Sequence, residues 1–229
     1  LFESCASGGG RNDPGMLAFA PQAWISDVTD AVDRQRIQYG TSLVYPLVAM
    51  GAHVSAVPNH QTGRVTPLDT RAAVAFFGNL GYELDPRALD EAAAERVREQ
   101  IAWYKQRREL IHGGRFHRLL SPFEGDGNEA AWMVVADERD RALVGWYRTL
   151  SVPLPGPGLL RLRGLDPDAR YRVTLWPAAD DALARANELE RGGDELMRQG
   201  LFLDDEAWQS QLRGDFQARI FELTRVVPS

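Results

Sequence analysis

Glu3-Ser4-Cys5-Ala6-Ser7-Gly8-Gly9-Gly10-Arg11, followed shortly by Trp24-Ile25-Ser26-Asp27-Val28-Thr29-Asp30, is the stretch that decides how the first part of this chain folds. Small residues beside an aromatic ring and two carboxylates suit a pocket for a flat, hydroxyl-covered ring such as a pyranose. Glycine lets the backbone approach such a ring closely, and a few aimed carboxylates supply the chemistry. Leu1 to Cys5 reads as a buried strand that ends in the glycine loop, and Gln22 to Ser26 as a second short strand that ends at Asp27. Both strands thus end at residues that could carry the chemistry.

Working outward, Ala31, Val32, Ile37 and Tyr39 inside a charged stretch predict a helix after Thr29-Asp30, where a capping residue belongs. His53 to Val57 alternates like a strand before a Pro58-Asn59 turn, and Thr66-Pro67-Leu68-Asp69 reads as a helix start with Thr66 as its cap. A long helix is predicted after Pro86, with Leu89, Ala93, Val97, Ile101 and Tyr104 on one face and Gly113-Gly114 at its end. The opposite face mixes charges of both signs and reads as solvated. Beyond about residue 115 the pattern changes to short β-like runs: Ala131 to Ala136, Ala142 to Thr149, Gly158 to Arg163, Tyr171 to Trp176 and Phe216 to Val226. Arg161, Arg163, Arg170 and Arg172 alternate with apolar residues, as in strands solvated on one face. Val152 to Gly158 reads as a stiff, proline-rich connector. The expected division is therefore α/β in class over residues 1–115 and antiparallel β over residues 116–229.

Composition narrows the function classes. With 32 acidic and 26 basic residues the net charge is −6, which argues against nucleic acid as a partner. No apolar run approaches the roughly 20 residues that span a bilayer, so no membrane partner is expected. A single cysteine, Cys5, excludes an internal disulfide and any metal site built from several cysteines. His53, His60, His112 and His117 are scattered singly and read as structural or solvated. No metal and no cofactor are expected.

The motifs carry a family resemblance. The Glu3–Arg11 block, Asp13-Pro14-Gly15-Met16-Leu17, Trp24 to Asp30, Gln38-Tyr39-Gly40-Thr41-Ser42, Met50 to Gln61 and Gly78 to Asp85 occur in an order that resembles the α-galactosidases of glycoside hydrolase family 36. The match is dense over residues 1 to about 86 and looser beyond, where Gly193-Asp194-Glu195-Leu196-Met197 looks like the family's C-terminal region. The resemblance implies a retaining hydrolase of terminal α-galactosyl groups on sugars such as melibiose or raffinose. It implies an N-terminal β-sandwich, a central (β/α)₈ TIM barrel and a small C-terminal β-sandwich, of which this chain looks like the last part: residues 1–115 as the C-terminal portion of the barrel and residues 116–229 as the β-sandwich. The family's nucleophile lies in a Lys-x-Asp-x-Asn-like segment, and none precedes Leu1, so the chain is expected to lack it and to be inactive alone.

By the family pattern Asp27, directly after Trp-x-Ser, matches the acid/base, while Cys5, Ser7, Gly8 and Trp24 match the walls that contact the sugar. Asp30 is the rival carboxylate within the motif, with helix capping as its structural alternative. A general acid must hold its proton near neutral pH, which an Asp does only when burial or a second negative charge favours the neutral form. Both influences belong to the absent half of the pocket, so Asp27 is expected to be solvated and ionised in this chain. The parent is expected to be a cytoplasmic homo-oligomer with α-galactosides as its partners. Three alternatives remain at this level: a non-catalytic folding or assembly module, a galactosyltransferase of the raffinose synthase type, and a carbohydrate-binding module that stacks sugars on Trp132, Trp146, Tyr147 and Trp176.

Overall fold

The glycine block and the carboxylate motif follow two neighbouring parallel strands. A computed structural model describes residues 2–5, 13–153, 158–178, 190–203 and 214–227. The chain divides into two compact units, Leu1–Gly113 and Gly114–Ser229.

In the first unit β1 (Glu3–Ser4) pairs in parallel with β2 (Gln22–Ala23), and α1 (Ala31–Thr41) follows. Strand β3 (Gly51–Ser55) pairs in parallel with β4 (Asn79–Glu83), joined through α2 (Leu68–Ala75), and a parallel bridge from Ala23 to Met50 sets β2 beside the start of β3. Parallel strands alternating with helices are the repeating unit of a (β/α)₈ barrel. The strand predicted from Leu1 to Cys5 is shorter and more open than expected: only Glu3 and Ser4 join the ladder, Cys5 is exposed and Phe2 is 78% exposed. Its one described neighbour is β2, and a strand paired on one side alone buries little.

Helix α2 is buried from Thr70 to Ala75, and its small side chains let it lie close against β3. Pro67, not Thr66, occupies its cap position, and no side chain caps it. The Thr66 carbonyl instead accepts from buried Arg71 at 3.2 Å, and Arg71 also donates to the Ser55 carbonyl at the end of β3. Helix α3 (Glu91–Gly113) is rich in strong helix formers, and Asp90 accepts from the Ala93 amide at 2.7 Å. Its most buried residues are Gln100, Tyr104, Leu110 and Ile111, so the buried face is turned from the expected stripe, of which Ala93, Val97 and Ile101 are half-buried. Gln100 and Arg96 both bond Asp69 on α2, and the Tyr104 hydroxyl donates to the Gly78 carbonyl at 2.6 Å.

The second unit is an antiparallel β domain. Its strands are β5 (Arg115–Leu120), β6 (Glu129–Val135), β7 (Arg141–Arg148), β8 (Leu159–Leu160), β9 (Arg170–Trp176), β10 (Glu190–Gly192), β11 (Leu201–Phe202) and β12 (Gln217–Arg225). Six of them form one sheet in the order β10-β9-β12-β7-β6-β5, and β8 pairs with β11 as a second, two-stranded layer. Leu160, Leu162, Leu201 and Leu203 from that layer, with Leu196 of α4 (Gly193–Arg198), share one core with Met133, Val144, Trp146, Val173 and Phe221 of the large sheet. The opposite face carries buried Trp132, Val134, Leu143, Tyr147 and Ile220. Because both faces are buried, β6 and β7 read as continuous apolar runs rather than alternating ones. Strands β5, β10 and β11 were not foreseen, being short or polar at the sheet margins. The run from Gly158 to Arg163 forms a ladder only at Leu159 and Leu160, although Arg161 and Arg163 are exposed and Leu160 and Leu162 buried, as the alternation predicts. The core of the proline-rich connector, residues 154–157, lies outside the described residues.

One of the three alternatives is excluded, in favour of the core reading of these rings. Trp132, Trp146 and Tyr147 are at most 1% exposed and Trp176 is 8% exposed, so none of the four rings is open to stack on a sugar. Large aromatic rings in β runs here complete the core. Among the described residues, no helix is long and apolar enough to cross a membrane.

Candidate active site

Asp27 and Asp30 stand three residues apart and have opposite surroundings. Asp30 is buried at the N-cap of α1, where its Oδ1 accepts from the amides of Val32 (2.8 Å) and Asp33 (3.4 Å) and from the Arg64 guanidinium. Its Oδ2 accepts from the Thr62 hydroxyl at 2.7 Å. Asn59 fixes the loop that delivers these partners: its Oδ1 accepts from the amides of Gln61 and Thr62, and its Nδ2 donates to Thr29 at 3.3 Å. Both oxygens of Asp30 are thereby committed to structure.

Asp27 is exposed just beyond the C-terminal end of β2. Its Oδ1 accepts from the Trp24 indole N–H at 3.1 Å, and among the described residues its Oδ2 has no hydrogen-bond partner. The Trp24 amide donates to the Ser4 carbonyl at 2.7 Å, continuing the β1–β2 ladder past its last paired residue. Ser26 accepts from the Val28 amide at 3.1 Å, which turns the chain so that Asp27 stands out from it.

The Trp24 ring is half-buried and lies against His53 of β3, centroids 4.3 Å apart and planes tilted by 55°. Burial holds the His53 imidazole below its usual pKa, Arg34 on α1 adds to that effect, and Glu3 on β1 opposes it. The Glu3 carboxylate accepts from the Gln22 side chain. Cys5 is exposed at the end of β1, whereas Ser7 and Gly8 lie outside the described residues. The structure therefore brings Trp24 and Asp27 together and leaves Cys5 accessible at the neighbouring strand end.

Sequence reading missed three contributors: His53, Gly81 opposite it in the β3–β4 register, and the Asn59–Arg64 loop. The alternation of β3 marked His53 as a strand residue, but no local signal tied it to Trp24, which lies on another strand. Arg64 is 34 residues from Asp30, and nothing local in the sequence connects them.

Comparison with known proteins places this chain in a family. Residues 1–114 match the Melibiase family model, and residues 129–223 match the glycosyl hydrolase family 36 C-terminal domain. The chain is 54% identical over 203 residues to alpha-galactosidase AgaA of Geobacillus stearothermophilus, a match covering 89% of this chain and 26% of that protein. It is 40% identical over 226 residues to alpha-galactosidase Mel36A of Lactobacillus acidophilus, covering 99% of this chain and 28% of that one. Among solved structures, alpha-galactosidase AgaB of Geobacillus stearothermophilus superposes with a TM-score of 0.87 at 50% identity, over 99% of this chain and 28% of its own. A substituted AgaA in complex with raffinose gives 0.87 at 49% identity, over 99% of this chain and 29% of its own. The chain thus spans under a third of the length of these relatives. Matched by two models of that family and by these structures along nearly its whole length, the chain belongs to glycoside hydrolase family 36 and corresponds to the C-terminal part of its α-galactosidases.

Proposed function

We propose that this chain carries the acid/base half of a retaining α-galactosidase site, with residues 1–115 as the end of the catalytic barrel and residues 116–229 as the β-sandwich that follows it. Asp27 is the acid/base, and Cys5, Ser7, Gly8 and Trp24 line the galactose pocket. The observation that carries this reading is the contrast between the two carboxylates: Asp30 has both oxygens engaged by the helix cap and its loop, whereas Asp27 is exposed at a strand end with one oxygen held and the other, among the described residues, open.

In a retaining hydrolase a nucleophilic carboxylate attacks the anomeric carbon while the acid protonates the leaving oxygen, and the two groups sit about 5 to 5.5 Å apart. The electron pair of the broken C–O bond passes to that oxygen, which takes the proton from Asp27. Asp27, now ionised, removes a proton from the water that attacks the anomeric carbon and releases the nucleophile. The substrate class is a terminal α-galactosyl group on a raffinose-type sugar; substituted forms of the relative AgaA were solved with raffinose and with stachyose. The nucleophile belongs to a part of the enzyme outside this chain.

Hydrolysis of a chromogenic α-galactoside by the 229-residue chain, beside its Asp27→Ala variant, tests the reading. No turnover is expected from either, whereas the complete enzyme containing this segment is expected to hydrolyse the substrate and to lose that activity with Asp27→Ala. Undiminished turnover by the complete Asp27→Ala enzyme would remove Asp27 from the mechanism.

A further inference from the structure

Resting on the reading of Asp27 as acid/base, we infer that Trp24 is a positioning residue that selects which oxygen of Asp27 handles the proton, and that His53 holds Trp24 in place to do so.

An exposed aspartate rotates about two side-chain bonds, and its two oxygens are chemically equivalent until something distinguishes them. Here the indole N–H is bonded to Oδ1, which leaves Oδ2 as the oxygen that gives and takes the proton. The indole donates and never accepts, so it pairs with an oxygen that does not carry the proton. Geometry fixed in advance of the reaction is worth more than geometry found during it.

The indole is itself seated. One side of it meets the His53 ring, and the His53 ring is packed in turn against Gly81 on β4. A Cβ at Gly81 would lie 2.3 Å from His53 Cδ2 and 2.4 Å from Nε2, so any side chain there must push the imidazole away. On the backbone side, a Cβ at Gly51 would come within 3.5 Å of Trp24 Cε3 and 3.3 Å of the Ala23 carbonyl. The four residues form a column across β4, β3 and the end of β2: Gly81, His53, Trp24, Asp27. The charged groups that bear on His53 are Glu3 from β1 and Arg34 from α1. Burial and Arg34 together favour the neutral imidazole, which packs against the indole without bringing a cation beside Asp27's partner.

The 229-residue chain carries six tryptophans, whose indole N–H resonances are resolved by ¹⁵N labelling. The Trp24 resonance, identified by its loss in Trp24→Phe, is expected to move as pH crosses the carboxylate range. Asp27→Asn should abolish that movement, and Gly81→Ala should displace the Trp24 resonance. The remaining indole resonances report whether each variant is folded. A Trp24 resonance that ignores both pH and Asp27→Asn overturns the proposal.

In the complete enzyme, Trp24→Phe keeps a ring against His53 but removes the donor. It is expected to lower kcat about tenfold with little change in KM. If Asp27→Asn leaves hydrolysis intact, the acid/base reading fails and this inference with it. If Asp27→Asn abolishes hydrolysis while Trp24→Phe leaves kcat unchanged, the acid/base reading stands and the positioning role falls.

Discussion

Two aspartates of one short motif show how residue type and residue role separate. Both follow a strand, and the sequence marks both as candidates for chemistry or for a helix cap. Asp30 received its structural role from residues far along the chain, Thr62 and Arg64, which reach its second oxygen and complete its first. Asp30→Ala removes a cap, an ion pair and a side-chain bond to the loop at once, and leaves Arg64 without its buried partner. It is expected to destabilise the first unit by about 2 to 4 kcal/mol. Asp27→Ala, at an exposed position, should stay within about 0.5 kcal/mol of the parent chain. Chemical denaturation of both variants checks the contrast. The motif and the cap were legible because caps are local features. The choice between the two carboxylates rests on a loop whose closure no local spacing encodes.

Helix α1 shows the same limit at the level of the element. Its existence followed from Ala31, Val32, Ile37 and Tyr39, but the side it turns inward is polar: Arg34, Gln35 and Gln38 are buried with Ala31, while Val32 and Ile37 are half-buried. The inward face satisfies backbone groups on its neighbours. Arg34 donates to the Gly51 carbonyl at the start of β3, and Gln38 donates to the carbonyls of Val74 (3.0 Å) and Phe77 (3.3 Å) where α2 ends. Burial brings the Arg34 guanidinium down to about 10, a cost accepted for that bond. Gln38→Leu keeps the volume and removes the side-chain donor to both carbonyls, leaving that of Val74 to the weaker backbone contact from the Phe77 amide at 3.4 Å. The expected loss is about 1 to 3 kcal/mol, read from the denaturation midpoint. Apolar periodicity finds helices that bury hydrocarbon, and it assigns the wrong face to one that buries hydrogen bonds.

Across the whole molecule the change of pattern near residue 115 was visible because periodicity shifts there from 3.6 to short apolar runs, and the two compact units meet in sequence at Gly113 and Gly114. Less visible was the fate of the aromatic rings. A tryptophan in a strand carries the same letter whether its face is covered or bare, and Trp132 and Trp146 are covered. Both units also carry histidines held below the usual value of about 6.5: His53 and His112 in the first, His117 in the second. Burial is the main cause in each case, with Arg34, Arg108, and the pair Arg115 and Arg163 as the respective cationic neighbours. Between each folded value and about 6.5 the unfolded chain binds more protons than the folded one. Stability is therefore full above about pH 6.5 and is lost as pH falls through the folded values. Thermal midpoints should decline between pH 7.5 and pH 5, and His117→Gln should flatten the decline for the second unit.

The place of β12 in its sheet sets an order on biosynthesis. The strand comes last among those described, yet it lies between β9 and β7 and pairs with both. As the nascent chain leaves the ribosome, β5, β6 and β7 can zip together as consecutive hairpins, but β9 and β10 pair only with each other until residues 217–225 have emerged to link them to β7. Until then two half-sheets expose open edges and apolar faces. The second unit must close its sheet from the middle, after translation has passed β12, and the interval before that closure is when chaperones have the most to protect.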